Sequence, residues 1–323
     1  MINTPLTRDY HLRFPIIGAP MAGVAEAELA LAITKAGGLG MVGIGSSASP
    51  AFIEKQGERL TAGGPFGLGL MVWALKQRPD LLDAALEVKP TLISLSFGDP
   101  TPYIERCHAR GVRVAVQVHD RTETHQALVA GADLLVAQGT EAGGHTGTVA
   151  TLPLLQLVLR QAGSTPVAAA GGIATPQAVA GLLAMGAAGV WVGTAFIATP
   201  ESRQSSEGRA QVIAARETDT ILTHVYDRLQ QLAWPDAYAG RALANEFTRT
   251  WHGREADMLE TSEAREHFLS HRGDYSVDYI YAGQAVGLIE EERTAADIVA
   301  WLGSGAEEIL KRRCRDLFPL DPA

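Results

Sequence analysis

Short apolar runs alternate with amphipathic segments along the first two thirds of the chain. The runs are nonpolar nearly throughout, which is typical of strands that are buried on both faces of a parallel sheet. They predict eight strands, at residues 16–21, 39–43, 66–72, 91–97, 113–118, 134–138, 167–170 and 189–192.

The segments between these strands repeat apolar residues at helical spacing. They predict helices at residues 25–36, 50–60, 79–88, 102–110, 122–130, 151–161 and 176–185. Several of these helices are followed by a glycine, the residue that most readily adopts the left-handed conformation that ends a helix; these are Gly37, Gly111, Gly131 and Gly186. Strand–helix alternation predicts parallel strands joined by crossover helices. Eight such units predict an α/β fold, a (β/α)8 TIM barrel.

The alternation stops after Phe196. Residues 217–272, the cap segment, are richly charged, helical in pattern and free of strand-like runs. They predict a helical second domain that is inserted after strand eight, with residues 1–216 and 273–323 forming the barrel. Residues 294–313 predict a closing amphipathic helix. The aromatic residues of the cap segment can pack a small core, line a pocket or form a subunit contact, and the sequence leaves these roles open; they are Trp234, Tyr238, Phe247, Trp251 and Phe268.

Composition narrows the class of protein. Of 323 residues, 46% are hydrophobic and 20% charged, as in ordinary soluble globular proteins. A net charge of −9 argues against nucleic acid or an anionic membrane as partner. Two cysteines far apart in sequence, no secretory signal and no apolar run of ~18 residues predict a cytoplasmic protein without a membrane span. We therefore expect a small-molecule partner.

Active sites of such barrels lie at the carboxyl ends of the strands. Polar residues and glycines follow several of the predicted strands, namely Ala19-Pro20-Met21, Gln117, Gln138 with Gly143 and Gly144, Gly171-Gly172, and Gly193-Thr194. Loops after strands seven and eight often bind phosphate through backbone N–H groups. One such glycine loop indicates no more than a tight turn. Two at these positions favour a cofactor that carries a phosphate.

His145 is the main candidate for chemistry. It lies in a glycine-rich stretch, the histidine loop (residues 138–147), directly after strand six. A histidine there can act as base or acid, or supply positive charge; the alternative is a loop histidine satisfied by solvent or by a capping bond. His119 is a second candidate near a strand end. Glu141 is either catalytic or a cap for backbone N–H groups. We expect the histidines of the cap segment, His224, His252, His267 and His271, to be surface residues.

The sequence has no metal-type spacing of ligands, no GxSxG and no Walker A motif. Four stretches in this order resemble the nitronate monooxygenase family, formerly 2-nitropropane dioxygenases; they are PIIGAPMAGVAEAELALAITKAGGLGMVG from Pro15, AQGTEAGGHTG from Ala137, PVAAAGGIATPQAVAGLLAMGAAGVWVGTAF from Pro166 and YAGQAVGLI from Tyr281.

The resemblance implies an FMN-bearing barrel and assigns roles to the rim residues. Ala19, Pro20 and Met21 would lie beside the flavin ring. Gln138, Gly143 and Gly144 would contact the ring and the ribityl chain. The phosphate would be held by Gly171, Gly172, Gly193 and Thr194. His145 would be the catalytic residue, and Gln117 would lie on the same rim. Many relatives carry an asparagine in strand three where this chain has Gly69.

The implied activity is oxidation of alkyl nitronates by FMN and O2 to a carbonyl compound and nitrite. His145 would steer the anion or take the α-proton of a neutral nitroalkane. Two alternatives stay open: an NAD(P)H-dependent enoyl-thioester or quinone reductase of the same fold, and a flavin-free barrel that binds a phosphorylated metabolite. The exact substrate and the formation of a homo-oligomer are left open as well.

Overall fold

The computed structural model describes residues 2–260 and 262–317. Its strands are β1 (Ile16–Gly18), β2 (Gly40–Gly43), β3 (Phe66–Met71), β4 (Leu92–Ser96), β5 (Arg113–Val118), β6 (Leu134–Gln138), β7 (Gly144–Thr146), β8 (Val167–Ala170), β9 (Gly189–Val192), β10 (Thr220–Thr223) and β11 (Ala239–Leu243). The eight strands predicted from the sequence are all present. The first of them ends at Gly18 rather than residue 21, because Pro20 has no N–H group to donate to a neighbouring strand.

Eight of these strands form one parallel sheet in the order β1-β9-β8-β6-β5-β4-β3-β2. The two outer strands meet through backbone hydrogen bonds. Gly18 N–H donates to the Leu39 carbonyl at 2.9 Å, and Leu39 N–H donates to the Ile16 carbonyl at 2.9 Å. The sheet therefore closes on itself, and the predicted TIM barrel is confirmed.

Helices surround the barrel and continue into the cap segment. They are α1 (Pro5–Asp9), α2 (Ala27–Lys35), α3 (Pro50–Thr61), α4 (Val72–Leu75), α5 (Asp80–Glu87), α6 (Thr101–His108), α7 (Arg121–Val129), α8 (Thr151–Gln161), α9 (Pro176–Ala184), α10 (Thr194–Ile197), α11 (Ser206–Ala214), α12 (Val225–Leu229), α13 (Glu246–Trp251), α14 (Glu255–Leu259), α15 (Glu263–Ser270) and α16 (Ala295–Leu317), with a 3-10 turn at Gln284–Leu288. The glycines predicted to end helices all have positive φ, from +71° at Gly111 to +108° at Gly186.

The cap segment differs from the prediction. It contains α12 to α15, but it also contains β10 and β11, so the expectation that it is free of strands is wrong. β11 pairs on one side with β10 and on the other with β7 of the histidine loop. These strands are four and five residues long, and the charged Arg241 lies in the middle of β11. Alternation of polar and nonpolar residues over four or five positions is too short to predict a strand. The strand β7, which pairs with β11, is also remote in sequence.

Part of the cap segment has a core of its own. Tyr226, Phe247, Met258 and Phe268 are buried together with Val277, which lies beyond residue 272. Phe247 and Phe268 therefore pack this core, which resolves one of the roles left open. The division into a barrel and an inserted domain at residues 217 and 272 stays a prediction. Within the described part of the chain, no helix combines the length and apolar character that crossing a bilayer requires.

Candidate active site

A cavity of about 900 Å3 opens where the carboxyl ends of the barrel strands face the cap segment. Every residue that the family resemblance assigns to the site lines it, whereas the further candidates His119 and Glu141 do not. The assigned residues are Ala19, Pro20, Met21, Gln117, Gln138, Gly143, Gly144, His145, Gly171, Gly172, Gly193 and Thr194. The barrel topology brings together residues from five separate loops, as expected when all strands point the same way.

The histidine loop is fixed at both ends. Glu141 accepts hydrogen bonds from Thr151 N–H and Thr151 Oγ–H, each at 2.9 Å, so its carboxylate caps the start of α8. Of the two roles considered for Glu141, the capping role is the one that the structure shows. Further along, β7 pairs with β11, with His145 opposite Gly240. A side chain on Gly143 would place Cβ 2.6 Å from Gly283 N, so the loop backbone packs directly on the segment that follows the cap.

His145 forms a buried pair with Asp227 of α12. Its Nε2 lies 2.9 Å from each carboxylate oxygen, and the two residues are 7% and 3% exposed. An ionised carboxylate only accepts hydrogen bonds, so Nε2 must carry a proton. No residue within the described ranges partners Nδ1, and the ring lines the cavity. In the neutral ring, the free lone pair is therefore on Nδ1.

Aromatic side chains surround this ring. Trp234 stacks on His145 with ring centroids 3.3 Å apart and planes inclined by 5°. Phe97 and Trp73 pack against Trp234 at centroid distances of 4.9 and 5.1 Å. Tyr281 lies 5.4 Å from His145. Burial and the nearby Asp227 charge raise the pKa of Tyr281 well above its ordinary value, so the phenol stays neutral.

Phe97 is held in an uncommon backbone conformation. Its φ is +64°, a value that costs energy for a bulky L-residue and marks many functional sites. This conformation at the end of β4 turns the ring between His145 and a second histidine, His119. Sequence reasoning placed a strand over Phe97 and gave the ring no role, since a φ of this kind leaves no mark in the sequence.

The opposite wall of the cavity belongs to the barrel. Gly69 lies there, and an added Cβ would be 2.3 Å from Pro20 Cγ and 3.1 Å from Ser94 Oγ. The asparagine that many relatives carry here would therefore displace Pro20. Ser94 Oγ is buried with no hydrogen-bond partner in the described part of the chain. Ser96 Oγ–H donates to Gln117 Oε1.

The two glycine loops after β8 and β9, which the sequence predicts to hold a phosphate, also line the cavity. Gly171 and Gly172 have φ of +102° and +73°, values that favour glycine. A Cβ on Gly171 would lie 2.8 Å from Thr151 Oγ1, so the backbone there packs closely and leaves no room for a side chain. Thr194 Oγ accepts a hydrogen bond from Gly283 N–H at 3.0 Å. Together with the unpartnered Ser94 hydroxyl, this glycine-lined surface fits a flat polar ligand with a phosphate end.

His119 lies behind the cavity wall, where its Nε2 contacts Gln138 Oε1 at 2.7 Å. Among the cap histidines, His252, His267 and His271 are exposed as expected, whereas His224 is half-buried, with Nδ1 3.9 Å from Asp227. In residues 2–260 and 262–317, no three His, Cys, Asp or Glu side chains are arranged to hold a metal ion.

The sequence analysis missed the cap residues that complete the site. Asp227 and Trp234 both lie in the cap segment, and only Trp234 was noted, without a role. Asp227 reaches His145 across 82 residues of sequence. Its one available signal was an acidic residue among the nonpolar and aromatic residues of the short helix Val225–Leu229, which also contains Arg228.

Comparison with known proteins points to one described family. The family model described as nitronate monooxygenase matches residues 3–87 and 76–305. A nitronate monooxygenase from Neurospora crassa is 30% identical over 343 residues, which cover 92% of this chain and 90% of the relative.

Two solved structures share the fold and part of the sequence. FabK from Thermotoga maritima superposes with a TM-score of 0.85 at 28% identity, covering 98% of this chain and 100% of the other. A nitroalkane oxidase from Streptomyces ansochromogenes superposes with a TM-score of 0.80 at 28% identity, covering 95% and 99%.

Proposed function

This chain belongs to the nitronate monooxygenase family, and from that premise we propose that it is an FMN-dependent oxidoreductase that converts nitroalkanes and their nitronates, with O2, to carbonyl compounds and nitrite. The resemblance of the four sequence stretches supports FMN. The bare, glycine-lined cavity with its unpartnered Ser94 hydroxyl supports a flat, phosphate-bearing cofactor.

One observation carries the proposal: His145 lines the cavity and is paired through Nε2 to Asp227, and its Nδ1 has no hydrogen-bond partner in the described part of the chain. A nitroalkane has a weakly acidic hydrogen on the carbon that bears the nitro group. Nδ1 is placed to take that proton as a general base. Asp227 then stabilises the imidazolium that forms and holds the ring in the tautomer that leaves Nδ1 free, the role that an acidic partner has in other histidine pairs.

A preformed nitronate needs no base, because its carbon has already lost the proton. For that substrate, the protonated ring supplies positive charge beside the anion. The same pair therefore serves both substrate forms. The nitroalkane oxidase among the similar structures supports the neutral form as a substrate class.

The cofactor would be held by the residues that line the barrel side of the cavity. Ala19, Pro20, Met21, Gln117, Gln138, Gly143 and Gly144 would flank the ring and ribityl chain, and Gly171, Gly172, Gly193 and Thr194 would hold the phosphate. Bound FMN would accept electrons from the substrate and pass them to O2. Trp234, Trp73 and Phe97 exclude water from the histidine face of the cavity.

The test is a set of anaerobic visible spectra of the purified protein, followed by aerobic turnover. We expect a flavin spectrum that bleaches on addition of nitroalkane or nitronate, and O2 consumption with nitrite release in air. A flavin that bleaches rapidly with NADH or NADPH and not with nitronate would contradict the proposal in favour of a reductase. A colourless protein that takes up no added FMN would contradict it in favour of a barrel that binds another phosphorylated compound.

A further inference from the structure

A second histidine–carboxylate pair, made of a buried histidine and a half-buried glutamate, lies behind the cavity wall. His119 follows β5, and Glu123 lies one helical turn later in α7. The Nδ1 of His119 is 2.8 Å from Glu123 Oε2, and its Nε2 is 2.7 Å from Gln138 Oε1. His119 is 3% exposed and Gln138 is 7% exposed. Neither His119 nor Glu123 lines the cavity, whereas Gln138 does.

The hydrogen bonds of Glu123 determine where the protons are. Its carboxylate also accepts from His119 N–H at 2.8 Å and from Tyr238 O–H at 2.7 Å. Burial alone would raise the pKa of Glu123, but the hydrogen bonds from His119 and Tyr238 and the charge of His119 outweigh it and lower the pKa. Glu123 is therefore ionised near neutral pH, so Nδ1 of His119 must donate.

The other ring nitrogen also faces an acceptor. Gln138 Oε1 is a carbonyl oxygen, and a carbonyl oxygen cannot donate. Both ring nitrogens of His119 therefore have a hydrogen-bond partner, whereas Nδ1 of His145 has none in the described part of the chain.

Packing prevents the ring from turning away. Phe97 stacks on it with centroids 5.6 Å apart and planes inclined by 18°. On the other side, Gly147 lies so close that an added Cβ would be 2.6 Å from His119 Cβ. His119 is therefore a fixed donor directed at one atom of one side chain.

We propose that His119 is a positioning residue that holds the Gln138 amide with its oxygen turned away from the cavity and its NH2 group directed to the flavin ring. The Nε2 atom of Gln138 has no partner in residues 2–260 or 262–317, and the side chain lines the cavity. The inference rests on the proposed flavin site. Tyr238 extends the arrangement into the cap segment, since its hydroxyl holds the far oxygen of Glu123.

The orientation of this amide has an electronic consequence. A donor that faces the flavin ring stabilises the electron-rich reduced form, whereas a carbonyl oxygen in the same place does not. Without the donor on His119, the Gln138 amide is free to rotate, and its carbonyl oxygen can then take the place of its NH2 group beside the flavin ring. The reduction potential of the bound flavin therefore reports the orientation.

The test compares three variants by the midpoint potential of their bound flavin. His119→Leu removes the donor, and we expect the equilibrium constant for two-electron reduction to fall about tenfold, which corresponds to about 30 mV. His119→Gln places an amide N–H near the position of Nε2, and we expect it to restore the wild-type potential. His108→Leu is the matched control, because His108 pairs with Asp133 at a half-exposed site outside the cavity.

A second measurement reads the protonation of the ring directly in the wild-type protein. Nitrogen-15 spectra of the wild-type histidine rings, with His119 assigned from the His119→Gln spectrum, should show a proton on both ring nitrogens. A proton on one nitrogen alone would overturn the proposal, as would a folded, flavin-loaded His119→Leu protein with unchanged potential. A protein that binds no flavin would contradict the proposed function, and the ring spectrum would still decide how Gln138 is held.

Discussion

The cavity has two walls, each with a histidine–carboxylate pair; both residues of the His145–Asp227 pair are buried, whereas Glu123 of the other pair is half-buried. The cap wall consists of His145, Asp227 and Trp234; the barrel wall consists of Gly69, Ser94 and Gln138, with His119 and Glu123 behind them. On the cap wall one ring nitrogen has no hydrogen-bond partner in the described part of the chain, whereas on the barrel wall both are engaged. A histidine paired with a carboxylate therefore gives, on one wall, a group that can move a proton and, on the other, a group that holds another side chain in place.

The two pairs also differ in how the chain builds them. His119 and Glu123 are four residues apart at the start of one helix, whose N-cap is Asp120. His145 and Asp227 are 82 residues apart and meet only because the cap packs over the barrel. The barrel wall is fixed by local structure and the cap wall by tertiary structure. Substitutions on the two walls should consequently fail in different ways.

The largest expected effect is on His145. His145→Gln keeps a similar volume and removes the basic nitrogen, so we expect kcat with a neutral nitroalkane to fall roughly 10²- to 10⁴-fold. The loss with preformed nitronate should be smaller, since that substrate needs no proton removal. His119→Gln is the matched variant on the barrel wall and should retain most of its turnover. Equal losses of kcat in His145→Gln and His119→Gln would contradict the different roles that we assign to the two histidines.

Asp227→Asn should have the next largest effect. Hydrogen bonds to charged groups contribute about 1.5–3 kcal/mol, so kcat with a nitroalkane should fall about tenfold to 10²-fold. Steady-state assays with nitroalkane and with nitronate in parallel would separate loss of the base from loss of binding. Asp236→Asn, an exposed carboxylate of the same segment, is the control. An Asp227→Asn enzyme with unchanged nitroalkane turnover would show that the pair does not assist proton transfer.

Gly69→Asn tests the tightness of the barrel wall. A Cβ there lies 2.3 Å from Pro20 Cγ, so we expect overpacking to lower the free energy of unfolding by about 1–3 kcal/mol. Urea unfolding would measure it. Gly181→Ala is the opposite case, because Gly181 lies within α9 with open space around it, and alanine there should stabilise by about 0.5–1 kcal/mol. If Gly69→Asn leaves the free energy of unfolding unchanged, Pro20 must move aside without cost, and the barrel wall is not tightly packed there.

The smallest expected effect concerns the acid stability of the barrel wall. The pKa of Glu123 is lowered in the folded protein. Its ionised form therefore stabilises the fold above the unfolded pKa of about 4.3, and that contribution is lost as the pH falls through the lower folded pKa. Unfolding of wild type and Glu123→Gln, compared from about pH 6 to pH 3, should show the difference in stability shrinking with acid. A difference independent of pH would contradict this.

The features that the sequence predicts lie mainly on the barrel wall, and those that it does not predict lie mainly on the cap wall. The barrel strands, the helix-ending glycines and the rim residues named in the sequence analysis were accessible, because strand periodicity and chain direction place them, whereas Ser94 and Phe97 were not. Asp227 and the orientation of Trp234 were not, because no local pattern relates residue 227 to residue 145. β10 and β11 were missed because they are short and because β11 depends on the remote strand β7.

The predicted role of His119 was incomplete for another reason. The sequence placed it near a strand end, which is correct, but Glu123 and Tyr238 decide that both of its nitrogens are engaged. Gly69 was seen as a missing amide. The structure gives its physical reason, since Pro20 occupies the space that an asparagine would need.

The pairing of β7 with β11 bears on the order in which parts of the protein fold. The glycines and Gln138 of the barrel wall come from strands that follow one another along the chain, whereas His145 reaches its final place only when a strand near residue 240 docks beside it. Contacts between distant parts of a chain are generally slow to form. A protein refolding from denaturant should therefore form its barrel before it regains turnover, and the delay between the two would be the time that the cap segment needs to complete the sheet of β10, β11 and β7.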